Sequence, residues 1–102
     1  MKLEKAVASL SALAQETRIQ IFRLLLQKEA GMSAGDIAEA LNIPATTLSF
    51  HLNQLRQAGL IESEKEGRSI FYSANKKKAK KLTKFVLGKD LENDDDNNAS
   101  LL

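Results

Sequence analysis

Apolar residues recur at helical spacing through most of this chain, and the breaks between runs fall on Gly, Pro, Asn and Ser. Leu3, Val7, Leu10 and Ala14 stand at i, i+4, i+7 and i+11, with Ala6 and Leu13 alongside, which predicts a first helix over 2–14. A second helix is capped or begun at Thr17, turns Ile19, Phe22, Leu25 and Leu26 inward to about Lys28, and ends at Gly31. Ser33-Ala34-Gly35-Asp36 has the form of a capping box, with Ser33 as N-cap, and opens a short third helix over 34–41 carrying Ile37, Ala38 and Leu41. Asn42-Ile43-Pro44 reads as a turn that places proline where a first helical residue can lack its N–H. A fourth helix over 45–58 follows, with Leu48, Leu52 and Leu55 as a narrow apolar stripe and Gly59 as its stop.

Beyond Gly59 the period changes. Leu60-Ile61 starts an extended run, 64–68 (Glu-Lys-Glu-Gly-Arg) reads as a turn, and Ser69-Ile70-Phe71-Tyr72 is rich in strand formers. Asn75 then suits an N-cap for a fifth helix with Ala79, Leu82, Phe85 and Val86 as its stripe and Gly88 as its stop. The predicted class is mainly α with a small β-hairpin: a winged helix-turn-helix of five helices plus a two-stranded wing at 60–74. Residues 1–89 form the domain and 90–102 an acidic tail. The stripes on the two terminal helices either pack on the central core or pair with a second subunit, and periodicity alone leaves both open.

The face of the fourth helix opposite its leucines carries Thr46, Ser49, Phe50, Asn53 and Gln57. A solvated face usually holds Lys and Glu, which are better helix formers than Thr, Ser or Asn. Short side chains that both donate and accept suit base edges and phosphates, because little entropy is lost in holding them. An ordinary amphipathic helix is the bland alternative, and the short helix, tight turn and second helix weigh against it.

Several linked stretches resemble a known family. Thr47-Leu48-Ser49-Phe50-His51-Leu52, then Leu55-Arg56-Gln57-Ala58-Gly59-Leu60-Ile61, then Gly67-Arg68 and Tyr72, are similar to the ArsR/SmtB winged-helix repressors, as is the earlier run from Leu10 to Leu26. The resemblance covers residues 3 to about 88. It implies that Thr46, Ser49 and Phe50 face the DNA major groove, that Asn53 extends that face, and that Phe50 meets an apolar group such as a thymine methyl. Thr47 and Arg56 become candidates for phosphate, with Arg56 equally able to pair with a carboxylate. On the wing, Lys65 and Arg68 are candidates for phosphate or the minor groove, opposed by the flanking Glu64 and Glu66. Family members dimerise through their terminal helices, which would place Leu3, Val7, Leu10, Leu82, Phe85 and Val86 in a homodimer contact. Many also sense metals through a paired-cysteine motif in the third helix; Ser33 and Gly35 stand at those two positions here. Ala74 departs from the usual Leu at the end of the wing.

Composition trims the alternatives. There is no Cys and a single His, so no thiolate site, redox switch or disulfide is expected, and no metal or cofactor is assigned. His51 lacks the partners catalysis needs and reads as a half-buried packing and hydrogen-bonding residue; no enzymatic constellation is present. No apolar run reaches the roughly 20 residues of a membrane span and the start lacks a signal-like core, so a cytoplasmic location is expected. The net charge of +2 conceals an asymmetry: residues 1–89 hold 15 basic and 8 acidic residues, a net of +7, while 90–102 hold five acids and no base. A basic body suits a polyanion. Lys76, Lys77, Lys78, Lys80, Lys81 and Lys84 read first as a solvated face, and otherwise as neutralising the tail or strengthening the field toward DNA. Asp94 to Asn98 is low-complexity and reads as disordered rather than as a cation site. The leading expectation is a dimeric repressor that binds double-stranded operator DNA and answers to an unidentified inducer. The rival is a winged helix used to bind another protein.

Overall fold

Local signals place most helix ends in the computed structural model, which describes residues 1–90. The chain runs α1 (Leu3–Leu13), α2 (Glu16–Gln27), β1 (Met32–Ser33), α3 (Ala34–Leu41), α4 (Ala45–Gln57), β2 (Ile61–Glu66), β3 (Ser69–Ala74) and α5 (Lys76–Leu87). Ser33 Oγ accepts from the Asp36 amide at 3.1 Å and Asn75 Oδ1 from the Lys78 amide at 3.0 Å, the two caps expected. Of the acidic tail only Asp90 is described; the rest lies outside the described residues.

Four expectations shift. Thr17 is not the cap of α2: Gln15 takes that role, its side-chain oxygen accepting from the Arg18 amide at 2.9 Å. The inward face of α2 is centred on Ile21, which is fully buried, while Ile19 lies on the exposed side. Pro44 is the N-cap of α4 instead of its first residue, with extended ψ of 146°. The wing belongs to a three-stranded antiparallel sheet in the order β1-β3-β2, because Met32 and Ser33 pair with Tyr72 and Phe71.

The hairpin itself is tighter than expected. Glu64, Lys65 and Glu66 are strand residues, paired with Phe71, Ile70 and Ser69, which leaves only Gly67 and Arg68 as the turn. Gly67 has φ of 64° and Arg68 a negative φ, the signs of a type II′ turn with glycine at its first central position.

The core gathers where α2, α3 and α4 meet the base of the sheet: Ile21, Phe22, Leu25, Ile37, Leu48, Leu52, Leu55, Leu60 and Ile61. Each such aliphatic side chain contributes about 1.5–3 kcal/mol over an exposed one. The leucine stripe of α4 is wholly inside, which fixes the rotation of that helix and turns its polar face outward. After α4 the chain reverses through Gly59 (φ 76°), with the Gly59 amide donating to the Arg56 carbonyl and the Leu60 amide to the Leu55 carbonyl. Those are the two bonds of a Schellman motif, whose left-handed residue is best supplied by glycine. Leu60 and Ile61 therefore enter the core at once, and the wing leaves from a fixed point.

The terminal helices divide their apolar residues between the core and the surface. The inward residues of α1 are Ala6 and Ser9, whereas Leu3, Val7 and Leu10 are exposed. In α5, Leu82 is buried within its own chain, while Val86 and Leu87 stay exposed. The outer apolar stripes are not covered by this chain's core.

Candidate nucleic-acid interface

Burial of Leu48, Leu52 and Leu55 leaves Thr46, Thr47, Ser49, Phe50, Asn53, Arg56 and Gln57 exposed along one side of α4. Phe50 is 57% exposed, unusual for a ring that a purely structural helix would turn inward. The first turn of α4 holds no acid and no side chain caps it. Its leading amides and the hydroxyls of Thr46 and Thr47 are thus open to an anion.

The wing faces this helix. In an antiparallel ladder directly opposed residues share a face and successive residues alternate. The pairs Ile61–Ala74, Ser63–Tyr72 and Lys65–Ile70 therefore lie on one face, continuous with the core through buried Ile61. Glu62, Glu64 and Glu66 belong to the opposite face. Glu64 and Glu66, which flank Lys65 in sequence, thus project to the other side of the ribbon from it.

Between helix and wing lies an open cleft of about 400 Å³, lined by Ser49, Phe50, Asn53 and Arg56 from α4 and by Ser63, Ile70 and Tyr72 from the wing. The structure thus brings four of the expected residues together. Thr46 and Thr47 sit further toward the start of α4, Lys65 further out on the wing, and Arg68 at its tip. Among the described residues no carboxylate holds Arg56; its Nη2 donates to Asn53 Oδ1 at 3.4 Å, leaving the guanidinium at the surface. Ser63, Ile70 and Tyr72 were not among the expected site residues. The signal was available for Ile70, an apolar residue on a strand whose two-residue turn fixes the register, but a longer turn hides it.

Behind this surface, His51 is 8% exposed, more deeply buried than the half-buried packing residue expected. Arg18 Nη1 donates to His51 Nδ1 at 3.2 Å, and Arg18 Nε to the Ala12 carbonyl at 2.6 Å. Because an arginine can only donate, Nδ1 must accept, which selects the neutral tautomer with its proton on Nε2. Burial first, and the Arg18 charge second, push the His51 pKa below its ordinary value. The ring also stands edge-on to Phe50, with centroids 5.5 Å apart. Arg18 thereby ties the α1–α2 junction to the back of α4.

A polar helix face held outward by a buried leucine stripe, beside a β-ribbon, defines a winged helix-turn-helix DNA-binding transcriptional regulator. The comparisons agree. The helix-turn-helix domain family matches residues 13–64. The chain is 35% identical over 82 residues to the transcriptional activator HlyU of Vibrio cholerae, covering 80% of this chain and 74% of that one. It is 45% identical over 64 residues to the transcriptional repressor SdpR of Bacillus subtilis, covering 63% and 69%. The homodimeric winged helix-turn-helix DNA-binding domain Mb0332 of Mycobacterium bovis superposes with a TM-score of 0.71 at 29% identity, over 86% of this chain and 81% of that one. The chain belongs to the ArsR family of winged-helix transcriptional regulators.

Proposed function

We propose that residues 1–89 form a single DNA-binding and dimerisation domain that acts as a homodimeric repressor on an inverted-repeat operator. Helix α4 enters the major groove. Ser49 and Asn53 address base edges, Phe50 an apolar group such as a thymine methyl, and Thr46, Thr47 and Arg56 the base edges and phosphates at the helix start and flank. Lys65 and Arg68 reach phosphate or the adjacent minor groove from the wing. An unidentified signal releases the complex, and the family's cysteine motif plays no part in it, since Ser33 and Gly35 stand at its positions.

The observation that carries this reading is the open cleft between α4 and the wing, whose α4 side presents Ser49, Phe50, Asn53 and Arg56 with their backs held by the leucine core. The homodimer is supported by the exposed stripes Leu3–Val7–Leu10 and Val86–Leu87 on the two terminal helices, with Phe85 half-buried beside them. Leu82 supports that face from inside. A two-fold dimer sets its two recognition helices about one turn of DNA, roughly 10 base pairs, or a multiple apart. Of the relatives, SdpR is named a repressor and HlyU an activator, so their names support regulation at DNA in either direction. Selection from a random duplex pool tests the proposal. The expected product is a near-palindrome with that half-site spacing, and a pool that gains no consensus would leave the face as a protein-binding surface instead.

A further inference from the structure

On the side of the molecule formed by α1 and the start of α5 lies a second open groove, of about 460 Å³. Lys2 and Lys5 line one wall; Lys77, Lys78, Lys81 and Lys84 line the other. It shares no lining residue with the cleft between α4 and the wing. The one ion pair among the described residues joins Lys76 to Glu29 at 2.8 Å, so none of the six groove lysines has a carboxylate within bridging distance there. Six ammonium groups about one concavity repel one another and favour an anionic occupant.

The chain itself supplies one. Asp90 is the single carboxylate among the groove's lining residues, and the sequence continues from it through Glu92, Asp94, Asp95 and Asp96 without a basic residue. We propose that this groove is the docking site of the chain's own acidic segment, Asp90–Asp96, in the same protomer. Asp94 to Asp96 follow Asp90 by four to six residues, which reach at most about 13–20 Å when extended. From Lys77 to Lys84 the helix rises only about 10 Å. The segment is therefore long enough to lie along the whole lysine row. A short tether also holds it there at an effective concentration in the millimolar range, above that of a free anion of like charge. The consequence is that most of the charge of the lysine row is neutralised within the molecule.

The test needs no DNA and so stands apart from the proposed operator binding. Amide spectra of the full ¹⁵N-labelled chain are compared with those of a variant carrying Glu92→Gln, Asp94→Asn, Asp95→Asn and Asp96→Asn. Apart from residues 91–97, which the substitutions alter directly, the expected result is shifts confined to residues 77–84 and to Lys2 and Lys5, which fade at about 0.5 M salt, where screening acts within a few ångströms. Unlabelled wild-type chain mixed into dimers with the labelled variant must leave the variant's spectrum unchanged. Recovery of the wild-type shifts in that mixture would assign the occupant to the second copy and overturn docking within one protomer. Shifts absent from α5, or located on α4 and the wing, would overturn the groove as the docking site.

Discussion

His51 is the residue whose role depends most on its surroundings. It sits one position from Phe50 on α4, yet its ring is buried and accepts from Arg18 rather than meeting solvent. Its lowered pKa means that the unfolded chain takes up a proton before the folded one does. The stability this contributes is complete above the unfolded value of about 6.5 and is lost as pH falls below it toward the folded value. Urea unfolding followed from pH 8 to pH 5 should show that loss in the wild type, with a flatter profile in His51→Ala. The substitution should also cost about 1–3 kcal/mol at pH 8, through lost packing and the loss of the acceptor for Arg18 Nη1, while the ratio of operator to random-DNA affinity changes little. A protein that keeps its stability but loses discrimination would place His51 on the reading face. The inward position of His51 was legible in the sequence because it adjoins the leucine stripe. Arg18 was not, since its partner lies 33 residues away and no local pattern links them.

At the scale of elements, the helices followed from periodicity and caps, and the fourth helix was legible down to which residues face out. The sheet was harder to read. A two-residue strand such as β1 offers no period, and its pairing with β3 is a tertiary fact. The turn of the wing reads too wide in the sequence because Glu64-Lys65-Glu66 is too charged to resemble a strand, although alternation gives it two chemically different faces. That alternation shapes a prediction. Lys65→Ala and Arg68→Ala should each weaken operator and random DNA alike and lower the salt dependence by about one unit of slope per subunit. Glu64→Ala, on the far face, should change neither by a comparable amount. Filter binding or fluorescence anisotropy across a salt series measures all three. Equal effects from Lys65 and Glu64 would mean that the ribbon does not present its Ser63–Lys65 face to DNA.

For the whole molecule, the apolar residues of α1 and α5 were visible in the sequence but their destination was not, because an amphipathic stripe looks the same whether it meets its own core or another chain. The structure leaves Leu3, Val7 and Leu10 uncovered, with Val7 56% exposed. Leu10→Glu should therefore leave the fold intact and yield a monomer in sedimentation at micromolar concentration, with operator affinity falling in step. An unchanged oligomeric state would move the contact elsewhere. Among the described residues no helix is long and apolar enough to cross a membrane.

Operator recognition by α4 can be tested in one binding series. Wild type, Ser49→Ala and Asn53→Ala are titrated against the selected inverted repeat and a scrambled duplex at fixed salt. Each substitution should cost about 1–3 kcal/mol on the operator and far less on the scrambled duplex, narrowing the ratio between them. Operator affinity unchanged in both variants would contradict the account, because the face that the leucine core turns outward would then not be the face that reads DNA.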